Sequence, residues 1–264
     1  MSRQSNVLAS PWLQRLLPWL VPIALIVVWQ LAVQDGWLSV RVLPAPLDVV
    51  RAAIELARTG DLQQDVAVSA GRAVLGFAIG GSLGLAFGLL TGTFRVAETL
   101  LDTTLQMLRN IPALALIPLA ILWFGIGETA KLFLVSLGVF FPIYLNTFHG
   151  IRSVDPALVE MARSYGLSRW QLYREVILPG ALAQILVGVR FSLGLTWVML
   201  IVAETVSADA GIGYMTMNAR EFLQTDVVLL GILLYALLGK LADLLARALE
   251  RFWLRWHPSQ QAAI

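Results

Sequence analysis

Asp155-Pro-Ala-Leu-Val-Glu-Met-Ala-Arg-Ser-Tyr-Gly166, continued by Leu167-Ser-Arg-Trp-Gln-Leu-Tyr-Arg-Glu-Val-Ile-Leu-Pro179, is a charged island between two long apolar stretches. It carries its own punctuation. Asp155 suits an N-cap, Pro156 the first helical position and Gly166 the left-handed position after a helix end, which specifies a helix of ten residues, about 15 Å long. Ser168 is placed to cap a second short helix. On the first helix Leu158, Met161, Ala162 and Tyr165 share one face, with Glu160, Arg163 and Ser164 on the others. A short rigid helix outside the bilayer, exposing small and charged groups, suits insertion into the cleft of a partner.

Outward from this island the chain is almost free of charge. It has 264 residues, 58% of them hydrophobic and 14% charged, against roughly 25% charged in a soluble domain. A span needs about 20 mostly apolar residues to cross about 30 Å of hydrocarbon. Four such intervals are plain, at 16–34, 73–94, 110–127 and 132–151, bounded by Arg15, Arg72, Arg95, Arg109, Lys131 and Arg152. Two more, at 183–203 and 227–246, contain Arg190 and then Lys240 with Asp243. The fold expected is all-α, a polytopic membrane protein of six transmembrane helices. The first run is too long for a signal h-region of about 7 to 15 residues and no A-x-A-like site follows it, so it is expected to be a retained span.

The positive charges favour one orientation. Twelve Lys and Arg fall on the N-terminal side of the membrane, in the segments ending at Arg15, from Arg95 to Arg109, from Arg152 to Arg174 and from Lys240 onward. Six fall on the other side, with Arg190 inside a span, so both termini are expected in the cytoplasm. The organisation expected is 1–64 for the N-terminal segment, first span and periplasmic loop, 65–248 for a core of five spans containing loop 152–179, and 249–264 for a cytoplasmic tail. Within the outer loop, Val49, Val50, Ala53, Ile54 and Ala57 form one apolar face of a segment expected to lie along the membrane surface.

Gly76, Gly80, Gly84, Gly88 and Gly92 strip one ridge of the second span of side chains. Either a second copy or a neighbouring helix of the same chain could approach closely there. Pro112, Pro118 and Pro142 predict kinks in the third and fourth spans.

Several chemistries are excluded. With no cysteine, thiolate sites have no ligand, with only two histidines a metal site is not expected, and the net charge of +2 with no basic patch argues against nucleic acid. There is no G-x-x-x-x-G-K-[ST], since Gly239-Lys240 is followed by Leu241, and no H-E-x-x-H or G-x-S-x-G. No catalytic residue, cofactor site or metal site is expected on this chain.

Glu160-Met161-Ala162, Gly166 four residues on, and Val176, Leu178 and Pro179 beyond it resemble the E-A-A loop of permeases in ABC importers with the type I fold. Met161 stands where the pattern has alanine and Val176 where it has isoleucine. The resemblance implies that Glu160, Met161, Ala162, Arg163 and Gly166, with Leu178 and Pro179, form the coupling loop that docks on a separate ATPase, which would hold the ATP and Mg2+. Gln106–Pro112, Leu122–Ile126, Phe141–Tyr144, Val202–Thr205 and Met217–Asp226 extend the likeness to nearly the whole chain, and it is closest to the sulfonate, taurine and nitrate group. The implied assembly is a homodimer of permeases in the bacterial inner membrane with two ATP-binding cassette subunits and a periplasmic solute-binding protein. The implied cargo is a small organic anion, foremost an aliphatic sulfonate.

The residues themselves constrain the cargo weakly. Arg190, costly in hydrocarbon, should face a passing anion or a structural partner such as Glu204. Asn146, one turn from His149, and Glu204, at the outer end of the fifth span, are the other candidates for the solute pathway.

Overall fold

The computed structural model describes residues 11–254, and side chains from residue 17 apart from that of Ser207. The expectations for Arg3, Arg255 and residues 255–264 of the tail lie outside the described residues, as does the side chain of Arg15. Among the described residues every regular element is a helix, and these fall into two compact units.

The first unit comprises residues up to 62 together with 215–232. Helix α1 is Pro11–Gln34 and exposes apolar side chains from Trp19 to Leu31, as a span facing lipid would. Helix α2, Pro46–Thr59, begins with a proline at its first turn and stops at Gly60, whose φ of 91° is the left-handed geometry glycine accepts. The Leu47 amide donates to Gln30 Oε1 at 3.2 Å, fastening α2 to α1. The buried side of α2 is centred on Val49 and Ala52, while Val50 and Ile54 are exposed, so the apolar face expected here divides into an inward and an outward half.

In the second unit α3 is Asp61–Thr93, α6 is Glu128–Arg152 and α9 is Leu178–Ser207. The core is the seam of α6 with its two neighbours, built from Ala73, Val135, Val139, Ile143 and Leu200. The glycine ridge of α3 explains the seam. A Cβ at Gly80 would lie 2.2 Å from the Ser136 carbonyl oxygen, and one at Gly84 would lie 2.5 Å from that of Phe140. The ridge therefore serves packing within the chain, backbone against backbone, and the Ser136 hydroxyl donates to the Gly76 carbonyl at 3.1 Å.

The third expected span is not one helix. Residues 95–109, expected to be a loop, form helix α4 (Arg95–Arg109). A 3-10 turn at Ala113–Leu116 and the eight-residue α5, Ile117–Phe124, follow. The two halves meet at 85°. Pro112, which lacks an N–H, sits at the bend, and Pro118 opens α5. Among the described residues five helices are long and apolar enough to cross a membrane, and six if the bent pair counts as one span. The chain is completed by α7 (Pro156–Ser164), α8 (Arg169–Leu172), a π turn at Tyr173–Ile177, α10 (Ile212–Glu221) and α11 (Thr225–Trp253).

Candidate functional site

The charged island folds as its residues dictate. The Asp155 carboxylate accepts the Ala157 amide at 2.8 Å, capping α7, and Pro156 occupies the first turn. At the other end the Gly166 amide donates to the Arg163 carbonyl (2.9 Å) and the Leu167 amide to that of Ala162 (3.2 Å), with Gly166 at φ 81°. That pair of bonds is the Schellman arrangement. Ser168 and Gln171 exchange side-chain-to-backbone bonds at 3.3 and 2.9 Å, a capping box that starts α8. The nine-residue α7 is thus stiff at both ends. Ala162 is its inner contact, whereas Leu158, Met161 and Tyr165 are exposed at spacings of three and four, with Glu160 and Arg163 beside them. This short stiff helix therefore presents an apolar ridge flanked by charges that the rest of the chain leaves uncovered. Leu178 and Pro179 begin α9, so α8 runs into a long helix through the π turn.

Glu204 lies at the opposite end of α9 and is fully buried. Its Oε1 accepts from the Ser69 hydroxyl and Arg72 Nη1, both at 2.8 Å, and its Oε2 accepts from the Gly213 amide and the Tyr235 hydroxyl, both at 2.9 Å. Arg72 also donates to both oxygens of Glu128, at 2.7 and 2.5 Å, and to the Ala210 carbonyl at 2.6 Å. Lys131 adds a bond to Glu128 at 3.0 Å. Asp65, Ser69 and Arg72 occupy one face of α3, four and three residues apart, and between them they bind the backbone at Ala210, Gly211 and Ile212. Gly211, at φ 112°, is required there: a Cβ would lie 2.7 Å from both Arg72 Nη1 and Glu204 Oε1. This clasp joins α3, α6, α9, α10 and α11 and was missed from sequence. The polar repeat of Asp65, Ser69 and Arg72 ahead of an apolar helix was its visible signal.

Arg190 does not meet Glu204. It pairs with Asp243 of α11 at 2.9 Å and approaches Glu250 at 3.8 Å, because the two acids stand on α11 two turns apart while Glu204 is nearly four turns further along α9. Asp243 also holds Arg247 at 2.8 Å. Arg190→Gln should therefore leave the fold intact, the melting temperature of the purified protein moving by no more than about 3 °C. Asn146 accepts from Gln184 at 2.8 Å and donates to the Pro142 carbonyl at 2.8 Å, while His149 makes ring contact with Phe148. Asn146, Arg190 and Glu204 are thus three separate places in the fold, each with its own partners.

Residues 80–255 match the family described as binding-protein-dependent transport system inner membrane component. The chain is 64% identical over 248 residues to a protein of Escherichia coli (strain K12) named as an aliphatic sulfonates transport permease, SsuC, with 94% of each chain covered. A Bacillus subtilis (strain 168) protein of the same name is 46% identical over 250 residues, 95% of this chain and 90% of that one. Among solved structures, an amino acid ABC transporter shares the fold with a TM-score of 0.57 at 19% identity, over 74% of this chain and 97% of that one. Apolar spans, a rigid outer helix and the family match agree, and the chain belongs to the family of inner membrane components of binding-protein-dependent transport systems.

Proposed function

We propose that this permease moves small aliphatic sulfonates into the cell. The observation that carries the cargo is the 64% identity, over 94% of each chain, to the E. coli relative named for aliphatic sulfonates. Two copies form the pore, each docking one ATP-binding cassette subunit, and a periplasmic binding protein delivers the solute. ATP and Mg2+ bind the ATPase subunits. Both termini face the cytoplasm, as the excess of Lys and Arg on that side supports, eleven to six with Arg109 set aside. Residues 65–248 act as the core, with 1–64 and 249–264 added at its ends.

The coupling element is α7 with its flanks: Glu160, Met161, Ala162, Arg163 and Gly166 meet the ATPase, and Leu178 and Pro179 pass its movement to α9. Asn146, Arg190 and Glu204 are walls of the solute route. Gln184, Asp243 and Arg72 hold them here, so cargo meets them only where those bonds open.

Proteoliposomes carrying the complete importer test the cargo. ATP-dependent uptake of ethanesulfonate, displaced by longer alkanesulfonates and not by nitrate, is the expected result; uptake of nitrate alone would overturn it. Glu160→Lys tests the coupling element. The exposed position keeps the permease folded, while ATPase stimulation by loaded binding protein falls at least about tenfold, some 1.4 kcal/mol of coupling. Normal stimulation and uptake in that variant would remove α7 from the docking site.

A further inference from the structure

The bent pair α4 and α5 contains a cation that pairs with no acidic side chain among the described residues. Arg109 ends α4, is exposed, and has no acidic partner among the described residues, in contrast to Arg72, Arg152 and Arg190. Its depth can be read from contacts along α6. Glu98 pairs with Arg152, at one end of α6, and Asp102 accepts from Tyr144, two turns further along. Beyond the bend, Ile117 and Ala120 pack with Ala130 and Leu134, near the other end. The bend at 110–112 is therefore bracketed between the levels of Tyr144 and Leu134. The 25-residue α6 is about 37 Å long and its midpoint falls in that interval.

Two independent costs follow from that depth. Half the hydrocarbon thickness, about 15 Å, is more than an arginine side chain spans, so Arg109 cannot snorkel to either surface. A lone arginine at mid-depth facing lipid is costly, and such side chains face the protein interior or a water-filled cavity. The backbone leaves the α-helical pattern as well: the Asn110 and Ile111 amides turn back to the Met107 and Leu108 carbonyls, Pro112 offers no N–H, and its carbonyl accepts from Ala115 at 2.9 Å. Unwound backbone at this depth is tolerated only inside protein or beside a water-filled cavity.

We propose that the bend at 110–112 lines the solute route and that Arg109 contacts the anionic head group of the passing solute. The guanidinium presents several N–H donors in a plane, suited to two oxygens of a sulfonate at once. The choice of anion rests on the sulfonate reading above. The place of Arg109 on the route does not.

The chain has no cysteine, so Arg109→Cys introduces a unique thiol. In membranes holding the complete importer, a water-soluble methanethiosulfonate bearing a sulfonate group should label it, followed by the mass of this chain. Ile26→Cys, on the exposed side of α1, should stay unlabelled as the lipid-facing control. Absence of label at position 109 in assembled importer overturns the proposal whatever the cargo. In proteoliposomes, Arg109→Gln should keep wild-type assembly and binding-protein-stimulated ATPase while ethanesulfonate uptake falls at least tenfold, and Arg109→Lys should restore most of it. Uptake within twofold of wild type in Arg109→Gln, or a parallel fall of uptake and assembly that Lys does not rescue, removes Arg109 from contact with solute. A wild-type importer that carries no sulfonate, with position 109 still labelled, sinks the cargo assignment and leaves the route in place.

Discussion

Glu204→Gln is expected to destabilise the permease by roughly 3–5 kcal/mol, the usual consequence of removing one member of a buried ion pair. The geometry leaves the amide no acceptable orientation. With its nitrogen in the place of Oε2 it meets the Gly213 amide, and in the place of Oε1 it meets Arg72 Nη1, both obligate donors. The Ser69 and Tyr235 hydroxyls can rotate to accept, but the other two donors cannot. Arg72 keeps Glu128, so the damage should centre on the segment from Ala210 to Gly213 and the neighbouring end of α11. Thermal unfolding in detergent should show a large drop in midpoint, and limited proteolysis a new cut between α9 and α10. A variant that melts with the wild type would mean that the clasp contributes nothing to stability.

Gly80→Ala is the second large effect. The added methyl would stand 2.2 Å from the Ser136 carbonyl oxygen and 2.8 Å from its carbonyl carbon, and both are backbone. Nothing there can rotate away, so α3 and α6 must separate and the seam at Ala73, Val135 and Val139 loosens with them. Overpacking of this kind typically costs about 1–3 kcal/mol, and a clash with helix backbone belongs at the upper end. Gly71 on the same helix is the internal control, since a Cβ there meets nothing within 4 Å. Gly71→Ala should be neutral, or stabilising by up to about 1 kcal/mol through helix propensity. Equal behaviour of the two alanine variants would show that the glycine ridge is not a packing surface.

What could be read from sequence was what is local. The caps of α7 and α8 are set by residues within a few positions of each other, so Asp155, Pro156, Gly166 and Ser168 predicted them correctly. The glycine stripe on α3 was equally plain, but its partner was not, because the α6 surface that receives it is an unpatterned run of Val135, Ser136, Phe140 and Tyr144. Helix α4 was hidden by its charges. Arg95 and Arg109 bounded the neighbouring apolar intervals and left a loop between them, yet Glu98, Asp102 and Leu105 repeat at helical spacing and turn toward α6. The ion pairs were beyond reach for another reason. Arg72 finds Glu204 132 residues away, and Arg190 finds Asp243 rather than Glu204, and such choices depend on the register of helices against one another.

The helical run from Arg169 to Val206 is 38 residues long without a break. One end carries the capping box next to α7, the other the carboxylate that closes the clasp. A rod of that length would carry a tilt imposed at α8 to the far clasp as displacement rather than absorb it on the way. The wider turn at Tyr173–Ile177 is the one place where that rod can change its pitch.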